Sequence, residues 1–166
     1  MTSDFISLIA NLALALSVIV ALIFGIAQVR AAARDRLERL TLETLRNFQT
    51  REFAELINFI TTYDFPADMK LMRKMPVEEQ VMLIQFAQEM EMLGILVAEK
   101  HINLDLVDKT IGSLVTTAWD KYKTMFLDMR VNLPDPFLGE YFQWLSDQID
   151  ERLTKNPRIP FHEAKQ

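Results

Sequence analysis

Phe5-Ile-Ser-Leu-Ile-Ala-Asn-Leu-Ala-Leu-Ala-Leu-Ser-Val-Ile-Val-Ala-Leu-Ile-Phe-Gly-Ile-Ala-Gln-Val29 is a run of 25 residues with no charge, and 20 of them are apolar. At 1.5 Å per residue, a helix of this length covers the roughly 30 Å hydrocarbon core of a bilayer and leaves some length for tilt. The competing reading is a secretory signal. A signal has a basic leader and a shorter apolar stretch, whereas Met1-Thr2-Ser3-Asp4 supplies an acid and no base. The expectation is an anchor. Its orientation follows from the flanks: no Lys or Arg precedes the run, and Arg30, Arg34, Arg36 and Arg39 follow it at once. By the positive-inside rule this predicts a single pass through the cell (inner) membrane, with the N-terminus outside and the rest cytoplasmic.

Within the run, Ala13, Ser17, Ala21 and Gly25 recur every fourth residue, so four small side chains share one stripe. Such a stripe lets a second membrane helix approach closely, although small residues are also common in membrane helices for no such reason. Asn11 lies roughly 200° from Ala13 around the helix and near the outer interface, where a solvated amide is expected.

Outside the run, 141 residues hold 63 apolar residues and all 41 charges, the composition of an ordinary folded domain. No Gly/Ser linker intervenes. Arg30-Ala-Ala-Ala-Arg34 favours helix, and Leu37, Leu40, Leu45 and Phe48 give a partial apolar face, so a basic juxtamembrane helix is expected over 30–50. Thr50 is placed to cap a helix carrying Phe53, Leu56, Ile57, Ile60 and Tyr63. Residues 64–76, with Pro66 and Pro76, read as a loop.

A third helix follows Pro76 with the stripe Leu83, Phe86, Ala87, Met90, Leu93 and Val97. Its polar-free stretch from Met92 to Ala98 predicts burial on every side. After a turn at 99–103, with Asn103 as cap, Leu104, Val107, Ile111, Leu114, Val115, Ala118, Tyr122, Met125, Phe126 and Met129 hold helical spacing. Gly94 and Gly112 are equidistant from residue 103, which predicts that they close up a central antiparallel hairpin. Asp135-Pro136 reads as the start of a last helix with Leu138, Phe142, Leu145, Ile149 and Leu153 inward, stopped by Asn156-Pro157. The fold class is all-α: an anchor over 1–29, the juxtamembrane helix, a helical domain over 51–154 and a loose tail over 155–166, with about five helices after the anchor.

Chemistry is sparse. There is no cysteine and there are two histidines, His101 and His162, in a turn and a tail without ligand spacing. No nucleophile elbow or phosphate-binding loop occurs. No metal, cofactor or catalytic set is expected. Glu91, beside the apolar run, is the acid most suited to partial burial, and a structural bond to a neighbouring helix outweighs a catalytic role. The hairpin register puts Glu91 opposite residue 115 and Arg130 roughly 22 Å further on, so the two are not paired. Met69, Met72, Met75, Met82, Met90 and Met92 read as core filler, with an adaptable partner groove as the alternative. Trp119 and Trp144 read as core or core-edge residues. Residues 30–51 carry six Arg against three acids, and 52–166 carry 12 bases against 19 acids. This suits a collar on anionic lipid beneath an acidic domain, and it argues against a nucleic-acid partner.

The segment Phe86-Ala-Gln-Glu-Met-Glu91-Met-Leu-Gly94-Ile-Leu-Val, with Ile102, Leu106-Val107, Trp119, Tyr122 and Arg130, resembles a bacterial family of short, membrane-anchored helical proteins classed only as a domain of unknown function. The matching pattern is an acid three residues before a helical glycine, an apolar run, a turn, and a Trp-bearing helix that ends near an Arg: Glu91, Gly94, Trp119 and Arg130. Phe48, Phe53 and the 141–145 segment fit it too, so the likeness covers most of 30–153. Ala87 and Gln88 stand where the family often has an aromatic. The resemblance implies fold and anchoring, and it brings no activity.

The functional expectation is a non-catalytic single-pass protein whose domain mediates protein–protein interaction or self-assembly. Its partners would be the bilayer and either a second copy or another membrane protein. An accessory subunit of a larger membrane complex and an enzyme using Glu91 in a helical pocket are the alternatives.

Overall fold

A computed structural model describes residues 2–133, 135–160 and 162–163, with side chains from residue 5 onward. The described residues form six helices and no strand: α1 (Thr2–Asn47), α2 (Arg51–Thr62), α3 (Met69–Met72), α4 (Val77–Ala98), α5 (Leu104–Asn132) and α6 (Glu140–Lys155). The all-α expectation holds. The chain divides into two compact units, one running through Arg39 and the other beginning at Leu40. The expected juxtamembrane helix therefore does not end where a domain starts at residue 51. Its Thr41 and Leu45 are already core residues of the second unit.

In the first unit α1 is long and apolar enough to cross a membrane, and none of its most apolar window is buried. The helix α4 passes the same length and composition test, but a third of its window (33%) is packed inside the second unit.

The second unit is built around an aromatic cluster. Tyr122 of α5 is fully buried. Ring centroids lie around it at 4.7 Å (Phe65), 5.9 Å (Phe86), 5.6 Å (Phe126) and 5.7 Å (Phe142). Offset and edge-on pairs of this kind add about 0.5–1.5 kcal/mol each beyond the area they bury. The Tyr122 hydroxyl donates to the Leu83 carbonyl at 2.8 Å, and burial pushes its pKa well above the usual tyrosine value. Leu83 and Tyr122 lie twenty and nineteen residues from Asn103, so this bond records the antiparallel register of α4 and α5. The most extensive helix contacts, however, are those of α6 with α4 and then with α5. Helices α4 and α5 thus run antiparallel but pack mainly through α6, which lies against both.

Several helix ends are satisfied by side chains, some local and some from elsewhere in the fold. Thr50 caps α2 locally, accepting from Phe53 N at 3.2 Å, and Asn103 caps α5, accepting from Asp105 N at 2.8 Å. At the far end of α2, the Lys121 ammonium donates to the carbonyls of Ile60 and Thr61 at 2.8 Å. It thus meets orphan acceptors at the negative end of the helix dipole. Thr41, itself fully buried, accepts from Asn103 N at 2.9 Å and ties α1 to the α4–α5 turn.

Some expectations are corrected. Residues 64–76 contain a short helix, α3, capped by Asp68, whose carboxylate accepts from Leu71 N at 2.8 Å. The 92–98 half of α4 is not buried all round, because Met92 is 56% exposed. A polar-free run records only that no charge was placed there. The last helix starts at Glu140, not at 135–136. Asp135 accepts from Phe137 N and so closes a local turn rather than a helix. The tail is not wholly loose. Arg158 donates to the Asp108 carbonyl at 3.1 Å and lies 3.5 Å from its carboxylate. Residues 161 and 164–166 of that tail lie outside the described residues.

Candidate functional site

The sequence pattern around Glu91 converges on the start of α6. Glu91 projects from the middle of α4 and is half-buried. Its two carboxylate oxygens accept from consecutive backbone amides, Tyr141 N at 3.2 Å and Phe142 N at 2.8 Å. These are first-turn amides of α6, which have no acceptor within their own helix, and they lie at the positive end of its dipole. A carboxylate supplied by another helix therefore does what an N-cap side chain normally does. The residue actually at the cap is Gly139, which has no side chain to offer. It sits at φ +69°, and a Cβ there would lie 3.1 Å from the Phe126 ring, so both conformation and space call for glycine.

Arg130 holds the same segment from the other side. Its Nε donates to the Leu138 carbonyl and its Nη1 to Gln143 Oε1, each at 2.8 Å. Glu91 and Arg130 thus grip one segment from α4 and α5 without pairing with each other. Register along the α4–α5 hairpin alone does not predict this, because a third helix brings the two side chains to one short segment.

Gly94 and Gly112 do not close the hairpin against each other. A Cβ on Gly94 would lie 2.3 Å from the Tyr141 carbonyl oxygen, so glycine is required where α4 crosses α6. A Cβ on Gly112 would meet the Asp108 carboxylate at 2.7 Å and Ile149 of α6 at 3.5 Å. Each glycine faces α6 or the acid one turn before it. Equal spacing from a turn fixes height along a hairpin, but not which neighbour each face meets. Asp108 itself, 6% exposed, lies 3.7 Å from Arg152 and 3.5 Å from Arg158. Asp108, Lys121 and Thr41 escaped the sequence reading, since each is a single polar residue within an apolar pattern. The one available signal was their position on otherwise inward-facing stripes.

In the first unit Ala13, Ser17, Ala21 and Gly25 are all exposed, and a Cβ on Gly25 would meet nothing within 4 Å. The Ser17 hydroxyl donates back to the Ala13 carbonyl at 2.8 Å. Its proton is used inside the helix, which leaves the stripe smooth and essentially apolar. Arg30, Arg34, Arg36 and Arg39 are exposed, and Arg34 pairs with Glu38 at 3.2 Å. Among the described residues no group of three His, Asp or Glu side chains is arranged to hold a metal ion.

Glu91, and Arg130 through its Nε and Nη1, are thus committed to holding the start of α6, while Arg130 Nη2 is buried without a partner among the described residues. What these features define is an all-α protein with a long exposed apolar helix and a helical unit locked by polar contacts at its helix ends. The chain belongs to the family described as a domain of unknown function, DUF4760, which matches residues 15–149. The match begins within the apolar helix and ends in α6, so it takes in Glu91, Gly94, Arg130 and Gly139 together. No curated protein and no solved structure matches the chain.

Proposed function

We propose that this is a non-catalytic single-pass membrane protein whose cytoplasmic helical domain mediates protein–protein interaction or self-assembly. The observation that carries the reading is the bare surface of residues 5–29. Phe5, Leu14 and Val29 are 64%, 69% and 70% exposed, and every side chain in the run is exposed. A contiguous apolar surface of this size is unstable in water and is covered by lipid or by another apolar helix. The arginines that follow set the orientation, N-terminus outside and domain in the cytoplasm. The small-residue stripe, open along its length, supports a second helix packed in the membrane. That helix belongs to another copy or, in the second reading, to a larger membrane complex. Commitment of Glu91 and Arg130 to backbone and amide groups weighs against the enzyme reading.

The absence of cysteine makes the topology directly testable. Ser3→Cys and Ser113→Cys are labelled with a membrane-impermeant maleimide in cells with a permeabilised outer layer, before and after lysis. The proposal expects labelling of Ser3→Cys in intact cells and of Ser113→Cys only after lysis, with both proteins retained in the membrane after alkaline carbonate extraction. Release by carbonate, or the reversed labelling, overturns it.

A further inference from the structure

Next to the α6 clasp the second unit contains a cavity of about 260 Å³ that opens to the surface between α3, α4, α5 and the segment before α6. Its inner wall is carbon, from Leu83, Met125, Phe126 and the ring of Tyr122, and Ile84, 46% exposed, stands at its mouth. Two polar side chains line it, Gln88 and Glu91, one turn apart on the same face of α4. We propose that this cavity binds a small, predominantly apolar ring compound that carries one hydrogen-bond donor and no negative charge.

Size sets the first part of the assignment. Apolar cavities of about 150 Å³ stay dry and take up benzene-sized guests, while sites for drug-sized ligands begin at about 300 Å³. The observed volume falls between them and suits a bicyclic ring or a ring with a short substituent. Electrostatics sets the second part. Glu91 is bonded to two amides, yet a carboxylate accepts at about four lone-pair positions, so it offers further acceptor capacity. The Tyr122 proton is spent on the Leu83 carbonyl, so Tyr122 offers a ligand no donor. A ligand N–H or O–H is matched by Glu91, and a ligand carboxylate is repelled by it. Methionine side chains on the wall adapt to guests of slightly different shape.

The site is independent of what the membrane helix contacts. It is tested on the full chain in lipid nanodiscs by ¹⁹F NMR titration with 5-fluoroindole, with empty nanodiscs subtracting partition into lipid. The isosteric 5-fluorobenzofuran, which lacks the donor, is the comparison. The proposal expects saturable one-site binding of 5-fluoroindole and about tenfold weaker binding of 5-fluorobenzofuran, the usual consequence of one lost bond to a charged acceptor. Binding should fall at least tenfold in Ala87→Leu, which fills the cavity, and in Ile84→Trp, which blocks its mouth. Circular dichroism checks that both variants keep wild-type helicity, and the second variant stands if the first fails to fold. Absence of saturable binding, equal binding of the two probes, or unchanged binding by folded variants overturns it. So does competition by a peptide in place of the small molecule, since that would make the cavity a socket for a partner side chain.

Discussion

Glu91→Ala tests whether the acid is a structural cap. The side chain makes two charge-assisted bonds to the first-turn amides of α6, at 3.2 and 2.8 Å. Hydrogen bonds to charged groups contribute about 1.5–3 kcal/mol each. Half-burial and the long first bond favour the lower end of that range, so their joint loss costs about 3 kcal/mol. Glu91→Gln keeps one carbonyl oxygen, able to accept from one amide at neutral strength, and loses about half as much, about 1.5 kcal/mol. Urea unfolding of the full chain in nanodiscs, followed through Trp119 on α5 and Trp144 on α6, reads both values. With a urea slope of about 1.5 kcal/mol per molar, the midpoint falls by about 2 M for Glu91→Ala and about 1 M for Glu91→Gln, with the slope unchanged. The reasoning is refuted if both variants unfold within about 0.5 kcal/mol of the wild type. If Glu91→Gln also abolishes function in cells at full stability, acid–base chemistry takes the place of the capping role.

Three further perturbations follow from the same geometry. Gly94→Ala gains about 1 kcal/mol in helix propensity. A Cβ 2.3 Å from the Tyr141 carbonyl must nonetheless push α4 and α6 apart, so net destabilisation of about 1–2 kcal/mol is expected in the same unfolding assay. Lys121→Ala leaves two carbonyls at the end of α2 without their donor. It should cost about 1–2 kcal/mol and raise amide hydrogen exchange selectively at residues 57–63. Asp105 has its carboxyl held below the usual carboxylate range by its bond to Lys109, with Arg152 beside it. The stabilisation it gives is therefore fully present above about pH 4 and is lost as the pH falls through the lowered value. Because the pair is nearly half exposed, Asp105→Asn should remove no more than about 0.5 kcal/mol at pH 7. The difference from wild type should shrink as the pH falls below about 4.

Periodicity carried most of the fold, because an amphipathic helix must repeat its apolar face every 3.6 residues. The stripes of α2, α4, α5 and α6 appear at the expected residues apart from Tyr63, the C-cap of α2, and Leu138, which precedes α6, and Thr50 and Asn103 cap as their side chains suggest. The errors came from information that is not local. Gly94 and Gly112 are both interior helix glycines, and only the path of α6 decides what each must admit. The start of α6 was misplaced because Asp135-Pro136 suits a turn as well as a helix start. The true start relies on a carboxylate some fifty residues away in sequence. Glu91 was legible as a structural acid by its position next to an apolar run, but its bonding partners were not. Nor was the cavity, whose walls come from four separate segments.

The central claim is that the apolar helix packs on another helix through its small-residue face inside the membrane. The direct test is a scan of photo-crosslinking side chains along residues 12–27 in native membranes, with mass spectrometry of the adducts. Protein adducts are predicted to peak at positions 13, 17, 21 and 25 and to be minimal at Ala15, Ile19 and Ile23 on the far side. They should be lost in the Ala21→Leu/Gly25→Leu protein. Adducts with lipid alone, or protein adducts spread evenly around the helix and unchanged by the double substitution, contradict the claim.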